Sequence, residues 1–265
     1  MRTRIISAIV GLPVLLFFIY LGGLPFAFMV GVLATVGLYE FCRMAKEKNQ
    51  YFLLMPVMLG VWGMLAGSYL GWQNWAAFGI LITFCIVFAV AIFRFPDFNV
   101  NDIGINFLGL IYIGWSMAHL IAFDELGEGR LLVLYLFVAI WSSDSGAYFV
   151  GRACGRHKMC PKVSPKKTWE GSVGGIITTI VLLSLLNSYF GILPPVITVF
   201  IAIAISIIGQ IGDLIESLIK RFYGVKDSGK LIPGHGGVLD RFDSIMLAAP
   251  VMYYCLVIAR YFGAY

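Results

Sequence analysis

The sequence predicts an all-α, polytopic membrane protein of about nine transmembrane helices, with the N-terminus in the cytoplasm and the C-terminus outside. Three observations carry that expectation. Of 265 residues, 60% are hydrophobic and only 12% charged, where a soluble domain carries roughly 25% charged residues. The apolar residues come in runs close to the ~20 needed to span hydrocarbon. The 19 Lys and Arg residues gather beside alternate gaps between those runs.

The predicted spans are roughly 5–21, 24–42, 52–71, 75–93, 104–123, 131–150, 172–191, 194–219 and 244–262. The first follows a basic end like a signal peptide. It reads as a retained span, because no small-residue cleavage site follows it and another apolar run begins at once. The third contains Gly63, Gly67 and Gly71, spaced four apart. That spacing suits either a close helix–helix face or generic glycine use in a membrane helix. The eighth is long for one span, so its last two turns are expected to reach the interface or a polar cavity. With the N-terminus inside, Arg2, Arg4, Arg43, Lys46, Lys48, Arg94, the run from Arg152 to Lys167 and the run from Lys220 to Arg241 are cytoplasmic. Only Arg130 and Arg260 are outside, the asymmetry expected of cytoplasmic loops. The formal charge of +5 is therefore topological and requires no nucleic acid partner. It would also draw anionic lipid or substrate to the inner face.

No linker or repeat divides the chain. It reads as one integral membrane domain over 1–265, with scaffold spans in 1–130 and the polar, site-bearing spans and two basic loops in 131–265. Cys42, Cys85, Cys154, Cys160 and Cys255 are scattered without CxxC spacing and read as small apolar residues.

Carboxylates inside spans are costly and mark polar pathways or sites. Asp144 lies in "WSSDSGAYFVGR", and Asp213 and Glu216 lie in "GQIGDLIESLIKR". Gln210, Asp213, Ser217 and Lys220 share one helix face. Asp213 is open to two readings, a structural ion pair with Lys220 or a neighbouring helix, or a metal ligand. Asp240 and Asp243, three apart before the ninth span, could serve as helix-terminal acids. Together with Asp213 at the same depth, they also suit a hard divalent cation such as Mg²⁺, which binds one or two carboxylates plus substrate phosphates. The loop "GRACGRHKMCPKVSPKKTWEGSVGG" is either a basic anchor or an anion site. In the second reading Lys166 and Lys167 face phosphates while Thr168 caps the next helix. "PGHGG" offers either a tight turn or close backbone approach to a ligand, with His235 donating to a phosphate or capping the turn. His119 and His157 read as incidental. Metal-ready acids, two basic loops and surrounding spans fit phosphoryl or nucleotidyl transfer from a soluble phosphorylated donor to a lipid.

The stretch "SLIKRFYGVKDSGKLIPGHGGVLDRFD" resembles the signature of the phosphatidate cytidylyltransferases, the CDP-diacylglycerol synthases. The matching residues are Ser217, Lys220, Arg221, Lys226, Asp227, Gly229, Pro233, His235, Gly236, Gly237, Asp240, Arg241 and Asp243. "SDSGAYFVGR", "SPKKTWEG" with Ser164, and more loosely "RIISAIVGLP" are similar to family motifs as well. The resemblance implies transfer of the cytidylyl group of CTP to phosphatidate, with release of pyrophosphate, in phospholipid biosynthesis at a bacterial inner membrane. It implies Mg²⁺ held by Asp213, Asp240 and Asp243 with Asp144 as a fourth ligand, a second, monovalent cation, and a homodimer. Lys166, Lys167, Lys220, Arg221, Lys226 and Arg241 would divide between CTP and the phosphatidate head group. Ser164, Ser217 and Asp227 would join them, and His235, Gly236 and Gly237 would lie against the nucleotide phosphates. The alternatives are a CTP-dependent lipid or polyprenol kinase and, from another class, a transporter. Acids clustered at one face and the lack of a visible repeat speak against the transporter.

Overall fold

The computed structural model describes residues 2–229, 231 and 236–264, with side chains from residue 9 onward. The helices in chain order are α1 (Arg2–Leu21), α2 (Gly23–Lys46), α3 (Leu54–Tyr69), α4 (Trp75–Phe93) and α5 (Val100–Gly109). Helix α5 runs on through a π-helical turn, Leu110–Trp115, into α6 (Ser116–Ala122) and a 3-10 turn, Phe123–Leu126. Then follow α7 (Gly129–Cys154), α8 (Trp169–Phe190), α9 (Pro195–Phe222) and α10 (Leu239–Tyr261). Between α7 and α8, β1 (Lys158–Cys160) pairs antiparallel with β2 (Ser164–Thr168). This short hairpin is a small addition to the expected helical fold. Its residues lack alternating hydrophobicity, so no strand signal is visible in the sequence.

Each predicted span falls on one of these helices or on the continuous rod Val100–Leu126. Among the described residues, seven helices are long and apolar enough to cross a membrane, and the chain is an integral membrane protein. Ile9–Leu21 and Leu54–Tyr69 are shorter apolar helices. Large side chains such as Leu81, Ile92, Phe93 and Val196 are exposed. On helices apolar all round, that exposure is what a lipid-facing surface requires.

The chain divides into two compact units. The first comprises Met1–Glu125 and Lys220–Phe242. Here α3 packs on α4 and against α2, the π turn and α6. The α3–α4 crossing is close because Gly60 and Gly79 face each other: a Cβ on Gly60 would meet Thr83 Oγ1 and the Gly79 carbonyl. The α2–α3 connection is tied to α5 by buried polar groups. Asp102 accepts from the Tyr51 and Asn99 amides, and Asn106 accepts from the Leu53 amide at 2.7 Å and donates to the Tyr51 carbonyl. The segment after α9 is held by the Tyr223 hydroxyl, which donates to Gln50 Oε1 at 2.9 Å. Burial pushes the Tyr223 phenol up to about 12, so it remains a donor.

The second unit comprises Leu126–Ile219 and Asp243–Tyr265. Its α7 and α8 meet along a glycine-rich seam: Gly174 packs on Val150, Gly175 on the Ser143 carbonyl and Gly171 on the Ala147 carbonyl. Thr168 caps α8 as expected, its Oγ1 accepting the Gly171 amide at 3.2 Å. Asn187 accepts from the Tyr135 hydroxyl and the Leu193 amide and donates to the Leu193 carbonyl, fixing the α8–α9 turn. Gly212 lets α9 approach α10 so closely that a Cβ there would lie 2.8 Å from the Asp243 carbonyl oxygen.

Candidate active site

In the second unit the polar residues of α9 continue a ladder begun by serines. Ser143 of α7 and Ser206 of α9 share a hydrogen bond of 2.8 Å. The Gln210 amide donates to both hydroxyls and to the Ser172 carbonyl. One turn further on, Lys167 Nζ pairs with Asp213 Oδ2 at 2.7 Å and donates to the Gln210 carbonyl at 3.0 Å. Lys167 reaches that position because it sits at the end of β2, beside the cap of α8. The Ser217 hydroxyl lies 3.4 Å from Asp213 Oδ1, as their helical spacing predicts. Gly212, next to Asp213 on α9, packs on the backbone of Asp243 and Ser244. The structure thus pairs Asp213 with Lys167 rather than Lys220. Asp243 Oδ1 accepts its neighbour's Ser244 amide at 2.6 Å. Asp144 is exposed on α7, next to Ser143. Ser164 is half-buried on β2, and Lys166 is exposed.

In the first unit Lys220 Nζ pairs with Asp240 Oδ1 at 2.7 Å. The other oxygen of Asp240 accepts from the Ser228 amide, the Ser228 hydroxyl and the Gly237 amide, all within 2.9 Å. Gly237 therefore serves the loop through its N–H, and Gly236 turns there with φ of 85°, a left-handed conformation that suits glycine. Arg221 donates to the Val225 carbonyl at 3.2 Å and shapes the start of the loop. Lys226 and Asp227 are exposed and, with Arg43, Glu47, Ser228 and Gly229, line a cavity of about 320 Å³. Arg241 is exposed at the first turn of α10. Pro233 and His235 lie outside the described residues.

Carboxylate oxygens are the donor type a hard cation takes, but here those of Asp213 and Asp240 are each engaged by a lysine. An ammonium group already sits 2.7 Å from Asp213 and from Asp240, and the acceptors at both places are oxygens. Among the described residues no three His, Cys, Asp or Glu side chains are gathered into a metal cluster.

Two features escape the sequence reading. Glu40 of α2 is 3% exposed and accepts hydrogen bonds from Ser228, Val238 and Leu239. A lone carboxylate inside span 24–42 is the signal that could have found it. His157 is also not incidental: its Nδ1 lies 2.5 Å from Glu170 Oε1, and the Glu170 carboxylate accepts the Arg156 and His157 amides as well. This clasp closes the basic hairpin against the start of α8.

These features define a class, a polytopic helical membrane protein with paired carboxylates and lysines on its longest helix and the two basic connections beside it. Residues 2–259 match the model of the cytidylyltransferase family. A protein of Bacillus subtilis named phosphatidate cytidylyltransferase is 36% identical over 269 residues, covering 97% of this chain and 98% of its own length. Proteins of the same name from Staphylococcus saprophyticus and Staphylococcus aureus are 35% and 32% identical, each covering 97% of this chain and 99% of their own. The chain belongs to the cytidylyltransferase family and is a nucleotidyltransferase.

Proposed function

We propose that the chain transfers the cytidylyl group of CTP to phosphatidate, forming CDP-diacylglycerol and pyrophosphate at the cytoplasmic face of a bacterial plasma membrane. The observation that carries this reading is likeness over 97% of the chain to proteins bearing the name of that reaction. A phosphatidate oxygen attacks the α-phosphorus of CTP. The bond from that phosphorus to the oxygen bridging the β-phosphate breaks, and pyrophosphate leaves with the bonding pair. A phosphate monoester has a second pKa of about 6, so the lipid nucleophile is already largely dianionic near neutral pH and needs no strong general base. The obstacle is the repulsion between two polyanions.

Lys166, Lys167, Lys220, Arg221, Lys226 and Arg241 supply the positive charge that holds them. Lys167 and Lys220 are held by Asp213 and Asp240 until phosphate oxygens compete for their protons. Ser164, Ser217, Asp227, His235, Gly236 and Gly237 complete the substrate contacts. Asp213, Asp240 and Asp243, with Asp144, are the residues that would hold Mg²⁺. When bound, that ion supplies neutralisation of phosphate charge. Nine spans with the N-terminus inside would put both basic loops on the cytoplasmic side, where CTP is available.

The test is a product assay on the purified protein with α-labelled CTP, phosphatidate and Mg²⁺. Label should enter the lipid with stoichiometric pyrophosphate and stop on chelation. Asp213→Asn and Asp243→Asn should each lower kcat about 100-fold or more. Wild-type turnover by both variants removes the proposed site, and CDP as the product in place of pyrophosphate replaces cytidylyl transfer with γ-phosphoryl transfer.

A further inference from the structure

The motif "SPKKTWEG" carries an acid, Glu170, that the reaction as derived leaves without a task. Glu170 is the second residue of α8, two places beyond its Thr168 cap. Its carboxylate reaches back to the chain that enters the hairpin. Oε2 accepts the Arg156 amide at 3.1 Å and the His157 amide at 3.2 Å. Oε1 lies 3.2 Å from the same His157 amide and 2.5 Å from His157 Nδ1. The backbone closes the ring, the Trp169 amide donating to the His157 carbonyl at 3.0 Å. Arg156 and His157 lie past the end of α7 at Cys154, and both are exposed. Glu170 therefore ties two outlying residues to the first turn of α8.

The hairpin needs that tie. Strand β1 has three residues and β2 five, and the register shifts between Lys158 and Cys160. A two-stranded ribbon of this size is marginal in water on its own. Yet it carries Lys167, whose side chain crosses to α9. Lys158, the residue after the pinned pair, is the register partner of Thr168, the neighbour of Lys167. Fixing Arg156 and His157 thus fixes the end of the ribbon from which Lys167 extends. Lys167 Nζ sits 2.7 Å from Asp213 Oδ2 and 3.0 Å from the Gln210 carbonyl. An ammonium group has three N–H donors. Among the described residues these two oxygens are its acceptors, so one donor remains for a phosphate oxygen. The side chain is 21% exposed, so a substrate can reach it.

We infer that Glu170 is a positioning residue: it clasps the base of the hairpin to α8 so that Lys167 extends from a fixed backbone toward the substrate phosphates. This rests on the reading above that Lys167 holds a substrate phosphate. A simpler role is open to any acid in a first helical turn, which is to complement the helix dipole. Side-chain length separates the two. Aspartate keeps the charge in the first turn but is one methylene short of the Arg156 and His157 amides. Glutamine keeps the length but has one acceptor oxygen in place of two, so the two amides and the imidazole compete for it.

The experiment compares Glu170→Asp, Glu170→Gln, Lys167→Met and the double variant of Glu170→Gln with Lys167→Met in the purified full-length protein. Trypsin cleavage after Lys158, followed by mass spectrometry, reads the opening of the hairpin. Pyrophosphate release from CTP and phosphatidate reads kcat/KM. Both Glu170 variants should be cut several-fold faster and lose about ten-fold or more in kcat/KM, since misplacing a group by about 1 Å costs up to ~100-fold. Added to Lys167→Met, Glu170→Gln should cost nothing further, because the two residues act as a unit. Wild-type cleavage and turnover in both Glu170 variants overturn the inference. So does wild-type behaviour of Glu170→Asp beside a loss in Glu170→Gln, which is the result of a dipole role. An equal fold-loss with and without Lys167 overturns it too, since Glu170 would then act elsewhere. Should neither Glu170 variant fold, hydrogen exchange in the wild-type protein decides. The Arg156 and His157 amides should be protected although both residues are exposed, and exchange as fast as in an unfolded chain overturns the clasp. Wild-type turnover by Lys167→Met sinks the phosphate reading of Lys167 and this inference with it, while the cleavage and exchange rates still report whether Glu170 holds the hairpin.

Discussion

At the scale of single residues, the two lysine–aspartate pairs have the same length but different surroundings. The Lys220 and Asp240 side chains are 12% and 6% exposed, while those of Lys167 and Asp213 are 21% and 32% exposed. Removing one partner of a buried pair leaves the other charge uncompensated and costs about 3–5 kcal/mol, whereas a solvent-screened pair contributes about 1 kcal/mol or less. Lys220→Met should therefore lower the melting temperature of the purified protein clearly more than Lys167→Met. Equal losses in a side-by-side thermal unfolding series would mean that burial does not separate the two pairs. The sequence exposes the acids but not their partners. Asp213 could have met Lys220, two turns along the same helix face, and only the folded hairpin brings Lys167 to it. Glu40 was legible on the same physical ground as Asp144 and Asp213, a carboxylate in an apolar run. Its role was not, because the donors it serves lie some 190 positions further along, 188 for Ser228 and 199 for Leu239.

At the scale of elements, helix positions were legible because apolar run length is a strong signal, and the ends moved by only a few residues. Helix faces were less so. The spacing of Gly63, Gly67 and Gly71 suggested a packing stripe, yet Gly71 lies beyond the end of α3 in a left-handed turn with φ of 70°. Gly67 does pack closely, against Trp75, whereas the nearest atom to a Cβ on Gly63 would be 3.4 Å away, an ordinary contact. The tight crossing is made by Gly60 with Gly79 of α4, and sequence spacing within one helix cannot show which face a second helix will choose. Gly60→Ala should cost about 1–3 kcal/mol through overpacking against Thr83 and the Gly79 backbone, while Gly63→Ala should be tolerated. Unfolding of the two variants in detergent checks this, and the reverse order of stability would contradict the crossing. The hairpin was invisible for the reason already given: its strands are short, basic and polar on both faces. Thr168, by contrast, was readable as a cap, because a hydroxyl just before an apolar run has one common use.

At the scale of the whole molecule, the spanning set can be tested through helix length and charge. Helix α3 has 16 residues, about 24 Å of helix at 1.5 Å per residue, against a hydrocarbon core of ~30 Å. The apolar neighbours Phe52, Leu53 and Leu70 extend it toward that thickness, and the two topologies differ in how they distribute charge. If α3 spans, Lys46 and Lys48 share a side with Arg94 and with the basic hairpin, and only Arg130 and Arg260 lie opposite. If α3 does not span, Arg43, Lys46 and Lys48 move to the side of Arg130, and the asymmetry that normally orients such chains is blurred. The nine-span proposal therefore makes a specific prediction about the α2–α3 connection. In a cysteine-free background, Glu128→Cys should react with a membrane-impermeant maleimide in right-side-out vesicles. Lys46→Cys and Lys162→Cys should react only after permeabilisation. All three positions are exposed in the fold, so failure to label reports the membrane and not burial. Labelling of Lys46→Cys together with Glu128→Cys in sealed vesicles would place α3 outside the set of spanning helices. It would also put the α2–α3 connection, three residues past Arg43 of the 320 Å³ cavity, on the opposite side of the membrane from the hairpin that carries Lys167.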